Sequence, residues 1–291
     1  MTAVYRDYTQ AELDAQYNNR ARFPDYTVHF DGWLEWSRAA RTSLPCELDI
    51  AFGASALEKL DVFPAAISGN PIYLFIHGGY WYSLDKEHYS YIAQGMRPHG
   101  ITTAVNNFGL APACDMDTIV AHNRAAVAWL WRHAEKFGAD RNRIYVGGHS
   151  AGGHLGLVLL GTDWPAYASD LPPGIVKGVC SIGGIHDLEP IRRSFLNAKV
   201  QLTPAQVEQH SPVNLQYPTP TPLSLIVAMD ESAEFHRQSQ LMLELWSKLG
   251  YPAELLAPPD LDHFNVVNEL KRPGCALVAH QLAQMKLAFS K

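Results

Sequence analysis

GHSAGGHL, Gly148 to Leu155, follows directly on the apolar run Ile144-Tyr145-Val146 and continues into Gly156-Leu157-Val158-Leu159-Leu160. Branched and aromatic residues before Ser150, and a small-residue, Leu-rich run after it, predict a strand over 143–150 that turns at once into a helix. The spacing Gly148-x-Ser150-x-Gly152 suits that junction, because the turn is so tight that bulky neighbours would clash. It exposes the serine hydroxyl beside a helix N-terminus, where free N–H groups and the helix dipole favour developing negative charge. Ser150 is therefore a candidate nucleophile. The bland alternative is a serine that fills a close-packed turn, and the flanking sequence has to decide.

Outward from this junction, short apolar runs alternate with segments of helical period. ELDIAF (47–52) and LDVFPA (60–65) read as the arms of an early hairpin, IYLFIHGG (72–79) as a fully buried strand, and ITTAVNNF (101–108) as another. Further strands are expected at 174–184, 223–229 and 253–258. The clearest helix is 117–137, where Val127, Leu130, Trp131 and Ala134 share one face and Gly138 supplies a stop. Others are expected near 232–249 and 273–290. Strands alternating with helices imply a mostly parallel sheet covered on both faces, with ligands at the carboxyl ends of the strands. Two segments break the alternation: residues 1–45, with Trp33 and Trp36, and the excursion 188–215. Both read as cover over the strand ends within a single domain spanning 1–291.

The chain has 291 residues, enough to bury a large core. Its net charge of −6 comes with no run of one sign and no Lys/Arg cluster, so nucleic acid and anionic lipid are not expected partners. A small molecule is. The N-terminal residues are polar where a signal peptide has its apolar core, and no stretch approaches the roughly 20 apolar residues of a membrane span, so a cytoplasmic location is expected. Cys46, Cys114, Cys180 and Cys275 lie far apart without a CxxC pair; they read as reduced, mostly buried thiols, with neither zinc site nor disulfide framework. No pair of histidines has the HExxH spacing of a metal hydrolase, and neither metal nor cofactor is expected.

A serine nucleophile needs oxyanion donors, a base and a carboxylate to orient the base. His77-Gly78-Gly79-Tyr80-Trp81 leaves the end of an apolar strand, and two successive glycines let backbone N–H groups face a carbonyl oxygen without side chains in the way. Gly78 and Gly79, with the N–H of Ala151, are the candidate oxyanion donors. Of the histidines after Ser150, His154 falls one helical turn beyond it and His236 and His280 fall inside helices. His263, in PPDLDHFNVV after the last strand, can reach across the sheet ends and is the candidate base. For the acid, 223–229 ends at Asp230-Glu231, either of which could hold the imidazole; Asp187 is a weaker third.

HGGYW, GHSAGGHL, ESAEFHRQS (231–239) and DHF (262–264), taken together, resemble the arylformamidase (kynurenine formamidase) group of the α/β-hydrolase superfamily, near the hormone-sensitive-lipase-like esterases. The resemblance runs from about residue 47 to the last helix, and SFLNAKVQLTPAQVEQHSP (194–212) is similar to that group's cap. It implies an α/β-hydrolase fold, a nucleophile at Ser150, oxyanion glycines at Gly78 and Gly79 and a base at His263. The group's acid precedes the serine of the SxEF string, which puts Glu231 here in place of the usual Asp, with Asp230 as the alternative.

The implied chemistry is two-step acyl transfer: Ser150 attacks the carbonyl, His263 takes its proton and then protonates the leaving group, and water releases the acyl-enzyme. Tyr80 and Trp81 are the candidate substrate-binding wall for an aryl ring, or rim aromatics that only shape the mouth. An aryl formamide such as N-formylkynurenine is the expected substrate; a short-chain carboxylesterase or a related amidase is the alternative, and a non-catalytic small-molecule binding protein on the same fold a distant one. A homo-oligomer stays open.

Overall fold

In a computed structural model, residues 2–286 are described. Eight strands form one sheet: β1 (Glu47–Ala51), β2 (Lys59–Phe63), β3 (Asn70–Ile76), β4 (Thr102–Asn106), β5 (Ala139–His149), β6 (Val176–Ile182), β7 (Leu223–Ile226) and β8 (Ala253–Leu256). Their spatial order is β1-β2-β4-β3-β5-β6-β7-β8. The hairpin expected at 47–65 is present as β1 and β2, antiparallel to each other, and β2 is also antiparallel to β4. From β4 through β8 every neighbouring pair is parallel.

The pleat sorts the side chains of each central strand onto two faces. Ile72, Leu74 and Ile76 of β3 join one hydrophobic cluster with Val146 and Val179. Tyr73 and Phe75 join a second cluster with Tyr145, Cys180 and Ile182 on the opposite face. Of the helices α1 (Gln10–Tyr17), α2 (Tyr26–Ser43), α3 (Met116–His133), α4 (Ala151–Leu160), α5 (Pro204–His210), α6 (Ala233–Leu249) and α7 (Ala276–Gln284), α3, α4, α6 and α7 lie on the sheet. α3 begins where Asp115 Oδ1 accepts from Thr118 N at 2.9 Å, and its last turn runs into a 3-10 segment that Gly138 ends. Burial of Val127, Leu130 and Ala134 agrees with the expected apolar face; Trp131 is only half-buried beneath the Arg141 guanidinium. The expected final helix is present over Ala276–Gln284, and the remainder of that expectation from 287 on lies outside the described residues.

The strand expected to end at 79 ends at Ile76, which leaves His77-Gly78-Gly79 as a loop, and β5 stops at His149 so that Ser150 is the turn itself. The excursion after β6 holds three short helices, of which α5 carries Pro204 at its first position and a capping box between Thr203 and Gln206. It packs beside the strand ends: Gln206 Nε2 and His210 Nε2 both bond the Asp117 carboxylate of α3, at 3.0 and 2.6 Å. It is also laced to the N-terminal segment by Gln10 Nε2 on Arg193 O and Phe195 N on Asp14 Oδ1. Of the four free thiols, Cys180 and Cys275 are buried while Cys46 and Cys114 are half-exposed, so the expectation of mostly buried cysteines holds for two. Among the described residues no helix is long and apolar enough to cross a membrane.

Candidate active site

Ser150 sits between β5 and α4 with φ +55 and ψ −116, a conformation that a non-glycine residue adopts only when its surroundings enforce it. The surroundings do. Ser150 N donates to Ile182 O of β6 at 2.7 Å, and its carbonyl accepts from the N–H groups of Gly153 and His154. A Cβ on Gly148 would fall 2.2 Å from the Gly152 carbonyl, and one on Gly152 2.0 Å from Ile76 O, so both flanking glycines are required for space. The Ser150 hydroxyl is buried and has no hydrogen-bond partner among the described residues, while Ser150 itself lines a cavity.

The loop that follows β3 lies against this turn. A Cβ on Gly78 would come 3.2 Å from Ser150 Cβ, which measures how closely the backbone passes. Gly79 has φ +105, and its carbonyl accepts from the N–H of Ser83 and from Ser83 Oγ in a tight turn that a side chain would fill. His77 Nδ1 donates to Gly78 O at 2.8 Å, and its ring stacks on Phe108 with centroids 4.2 Å apart. Burial holds its pKa down at about 4, so it stays neutral and fixes the loop without adding charge.

His263 comes from the loop after β8, and its Nδ1 lies 2.8 Å from Glu231 Oε2, with both side chains buried. A carboxylate accepts, so Nδ1 carries the proton and Nε2 presents its lone pair. The structure separates the two carboxylates that the sequence leaves open. Glu231 N bonds Ala228 O in a turn that brings its side chain inward, whereas Asp230 is exposed and offers its carbonyl to Arg22 Nε. Asp187, the third option, is held instead by Tyr5 Oη at 2.8 Å and Arg237 at 3.2 Å. Gly183, with φ +53, keeps space open beside the pair: a Cβ there would meet Glu231 Oε1 at 2.9 Å and His263 Nδ1 at 3.1 Å.

Several contributors have no signal of their own in the sequence. His149, the variable residue of the G-x-S-x-G spacing, donates from Nε2 to the His263 carbonyl at 2.7 Å and packs ring to ring with it at 4.8 Å. Burial, then the neighbouring His263, pushes the His149 pKa well below its ordinary value. From the N-terminal cover, Asn19, Arg20, Phe30 and Trp33 line the cavity together with Tyr80, Leu84 and Phe264; it holds about 370 Å³ of space, including its open mouth. Tyr80 lines this cavity, its hydroxyl donating to Tyr17 O at 2.7 Å. Trp81 is a correction. Its ring is fully buried against His154, with Nε1 donating to His154 Nδ1 at 3.2 Å, and it does not line the cavity. None of residues 188–215 lines the cavity either, so the excursion does not cover it directly.

Residues 60–245 match the BD-FAE family. The chain belongs to that family. Within it, this BD-FAE protein is an arylformamidase-like α/β-hydrolase, related to the hormone-sensitive-lipase-like esterases. It is 30% identical over 281 residues to a kynurenine formamidase of Salmo salar, covering 91% of this chain and 93% of the relative, and 27% identical over 280 residues to one of Danio rerio with the same coverage. A crystal structure of a candidate thioesterase from Silicibacter sp. TM1040 superposes with a TM-score of 0.81 at 28% identity, over 92% of this chain and 98% of that one. The BD-FAE protein is therefore a hydrolase of ester or amide bonds.

The ESAEFHRQS string of the BD-FAE protein is mostly an anchor. Glu234 accepts from Tyr17 Oη at 3.0 Å and from Arg237 at 2.8 Å through each oxygen. Gln238 donates from Nε2 to Tyr17 Oη at 2.8 Å and accepts from the backbone N–H groups of His186 and Asp187 on its side-chain Oε1. Phe235 packs on the His263 ring at 4.9 Å. One turn of α6 thus ties the N-terminal cover to the loop after β6 and braces the candidate base.

Proposed function

We propose that this protein is a serine hydrolase that cleaves an aryl formamide of the N-formylkynurenine type through an acyl-enzyme. Ser150 attacks the formyl carbonyl as His263 Nε2 takes its proton, and Glu231 stabilises the imidazolium that forms. The oxyanion is received by the N–H groups of Gly78, Gly79 and Ala151, backbone donors fixed before substrate arrives. His263 then returns the proton to the leaving aryl amine, and water, deprotonated by the same imidazole, releases formate and restores Ser150. The observation that carries the reading is the buried Glu231–His263 pair, whose imidazole lines the same aromatic-walled cavity as the strained Ser150, a hydroxyl without a hydrogen-bond partner among the described residues. Kynurenine formamidases matched over nine-tenths of this chain support the substrate class.

A second reading, ester or thioester hydrolysis with the same residues, is favoured by the likeness to the candidate thioesterase. Side-by-side kcat/KM on N-formylkynurenine and on a short p-nitrophenyl ester separates the two. A preference of about a hundredfold for the formamide, some 2.7 kcal/mol of transition-state discrimination, is expected. Dominance of the ester would keep the machinery and replace the substrate. Ser150→Ala should lose on the order of a millionfold in kcat on either, and a Ser150→Ala protein as active as wild type would refute the mechanism.

A further inference from the structure

The twelve side chains and backbone groups around the cavity are apolar, aromatic or neutral polar, apart from the titratable His149 and His263 and one permanent charge, Arg20. Arg20 lies in the short helical turn Asn19–Arg22 between α1 and α2, and its guanidinium stands over the rings of Tyr26 and Phe30 at 5.3 and 5.9 Å. Other arginines of this protein sit on carboxylates: Arg132 on Asp170, Arg192 on Glu189, Arg237 on Glu234. Arg20 has no such ion pair among the described residues, and its contact to Ser83 Oγ is long, at 3.5 Å. Its neighbour Arg22 is turned away to the Asp230 carbonyl. A guanidinium at an aromatic mouth, with no carboxylate on its fork of donors among the described residues, matches the geometry of a carboxylate.

We propose that Arg20 is a substrate-recognition residue that selects acyl substrates carrying a carboxylate over their neutral counterparts. The inference rests on the aryl-formamide reading above and adds its polarity: the scissile carbonyl goes to Ser150, the ring lies among Phe30, Trp33, Tyr80 and Phe264, and the anionic end meets Arg20. The contact is remote from the reacting atoms and alike in ground and transition states, so it acts on KM rather than kcat.

The test compares wild type, Arg20→Met and Arg20→Lys on N-formylkynurenine and on its carboxamide, which differs only at the acid. For Arg20→Met the ratio of kcat/KM between acid and amide should fall roughly tenfold to a hundredfold, mainly through KM, as a charge-assisted hydrogen bond is worth. Arg20→Lys should recover part of it. A ratio unchanged within about twofold in Arg20→Met overturns the inference while leaving the hydrolase reading intact. Should wild type turn over neither formamide, calorimetric binding of 3-benzoylpropionate against its amide decides the matter independently. Preference for the acid that vanishes in Arg20→Met upholds the role of Arg20 although the substrate reading has failed; no preference refutes it.

Discussion

Replacing Glu231 by Gln keeps the shape of the side chain and removes its charge, at a contact of 2.8 Å to His263 Nδ1 with both partners buried. In the resting enzyme the amide oxygen can still accept from Nδ1, so substrate binding should change little. The loss falls in the transition state, where the imidazolium no longer faces an anion. With the charges about 4 Å apart, the positive charge being spread over the ring, an effective dielectric of ~20 gives about 4 kcal/mol, on the order of a thousandfold in kcat. If the amide flips and offers its NH2 instead, the wrong tautomer is favoured and the loss approaches about ten thousandfold. Asp230→Asn, an exposed neighbour, should stay within about twofold of wild type. Initial rates on N-formylkynurenine and a p-nitrophenyl ester, with thermal melts to confirm folding, measure both. Glu231→Gln retaining more than about a tenth of wild-type kcat, or Asp230→Asn losing as much as Glu231→Gln, would refute the assignment of the acid.

Gly183→Ala places a methyl group 2.9 Å from Glu231 Oε1 and 3.1 Å from His263 Nδ1, at a φ of +53 that alanine adopts poorly; kcat should fall about tenfold to a hundredfold, and an unchanged rate would mean the pair has more slack than its contacts indicate. Stability should also fall with acid. Burial holds His77 and His186 at about 4 and His154 at about 3, below the ordinary 6.5 of an unfolded histidine. The unfolded chain therefore binds more protons in that window, and the stabilisation, complete above pH 6.5, is lost as pH falls through it by up to about 1.4 kcal/mol per pH unit for each histidine. Urea midpoints between pH 7.5 and pH 5 that do not decline would contradict this.

The sheet was legible because its signals are local. Most strands from β3 to β8 are short, largely apolar runs bounded by turn residues, although β5 begins ahead of its apolar run, in Ala139-Asp140-Arg141-Asn142, and the candidate nucleophile and base follow strand ends, where a parallel α/β sheet collects its chemistry. The choice of acid was not local. Asp230 and Glu231 are equivalent in composition and adjacent in sequence, and what separates them is the turn closed by Glu231 N on Ala228 O. Trp81 misled for a similar reason: an aromatic following an oxyanion turn reads as a wall, but this one is committed to His154 behind it. The cavity wall was the least legible part. Arg20, Phe30 and Trp33 reach Ser150 across more than a hundred residues of chain, and nothing in the period of α2 marks which of its aromatics face the opening.

That division has a physical basis. The candidate nucleophile sits at a strand end, where the neighbouring β6 carbonyl that takes Ser150 N and the glycines around the turn fix its position to the tolerance that proton transfer demands. Asn19, Arg20, Phe30 and Trp33 of the cavity wall sit on the N-terminal cover, whose first part is held by side-chain networks: Tyr17 on Glu234, Tyr5 on Asp187, Gln10 on the excursion. Glu234 is almost fully buried and neutralised by Arg237, so its anchor is strong only while the three partners stay together. The same string of α6 that braces His263 through Phe235 therefore also holds Tyr17, at the end of α1 just before the turn that carries Arg20, whereas Trp33 is held separately by Asn268 and Tyr89. Substitutions in that string should disturb substrate selection and turnover together, whereas substitutions on the cavity face of the cover should alter selection alone.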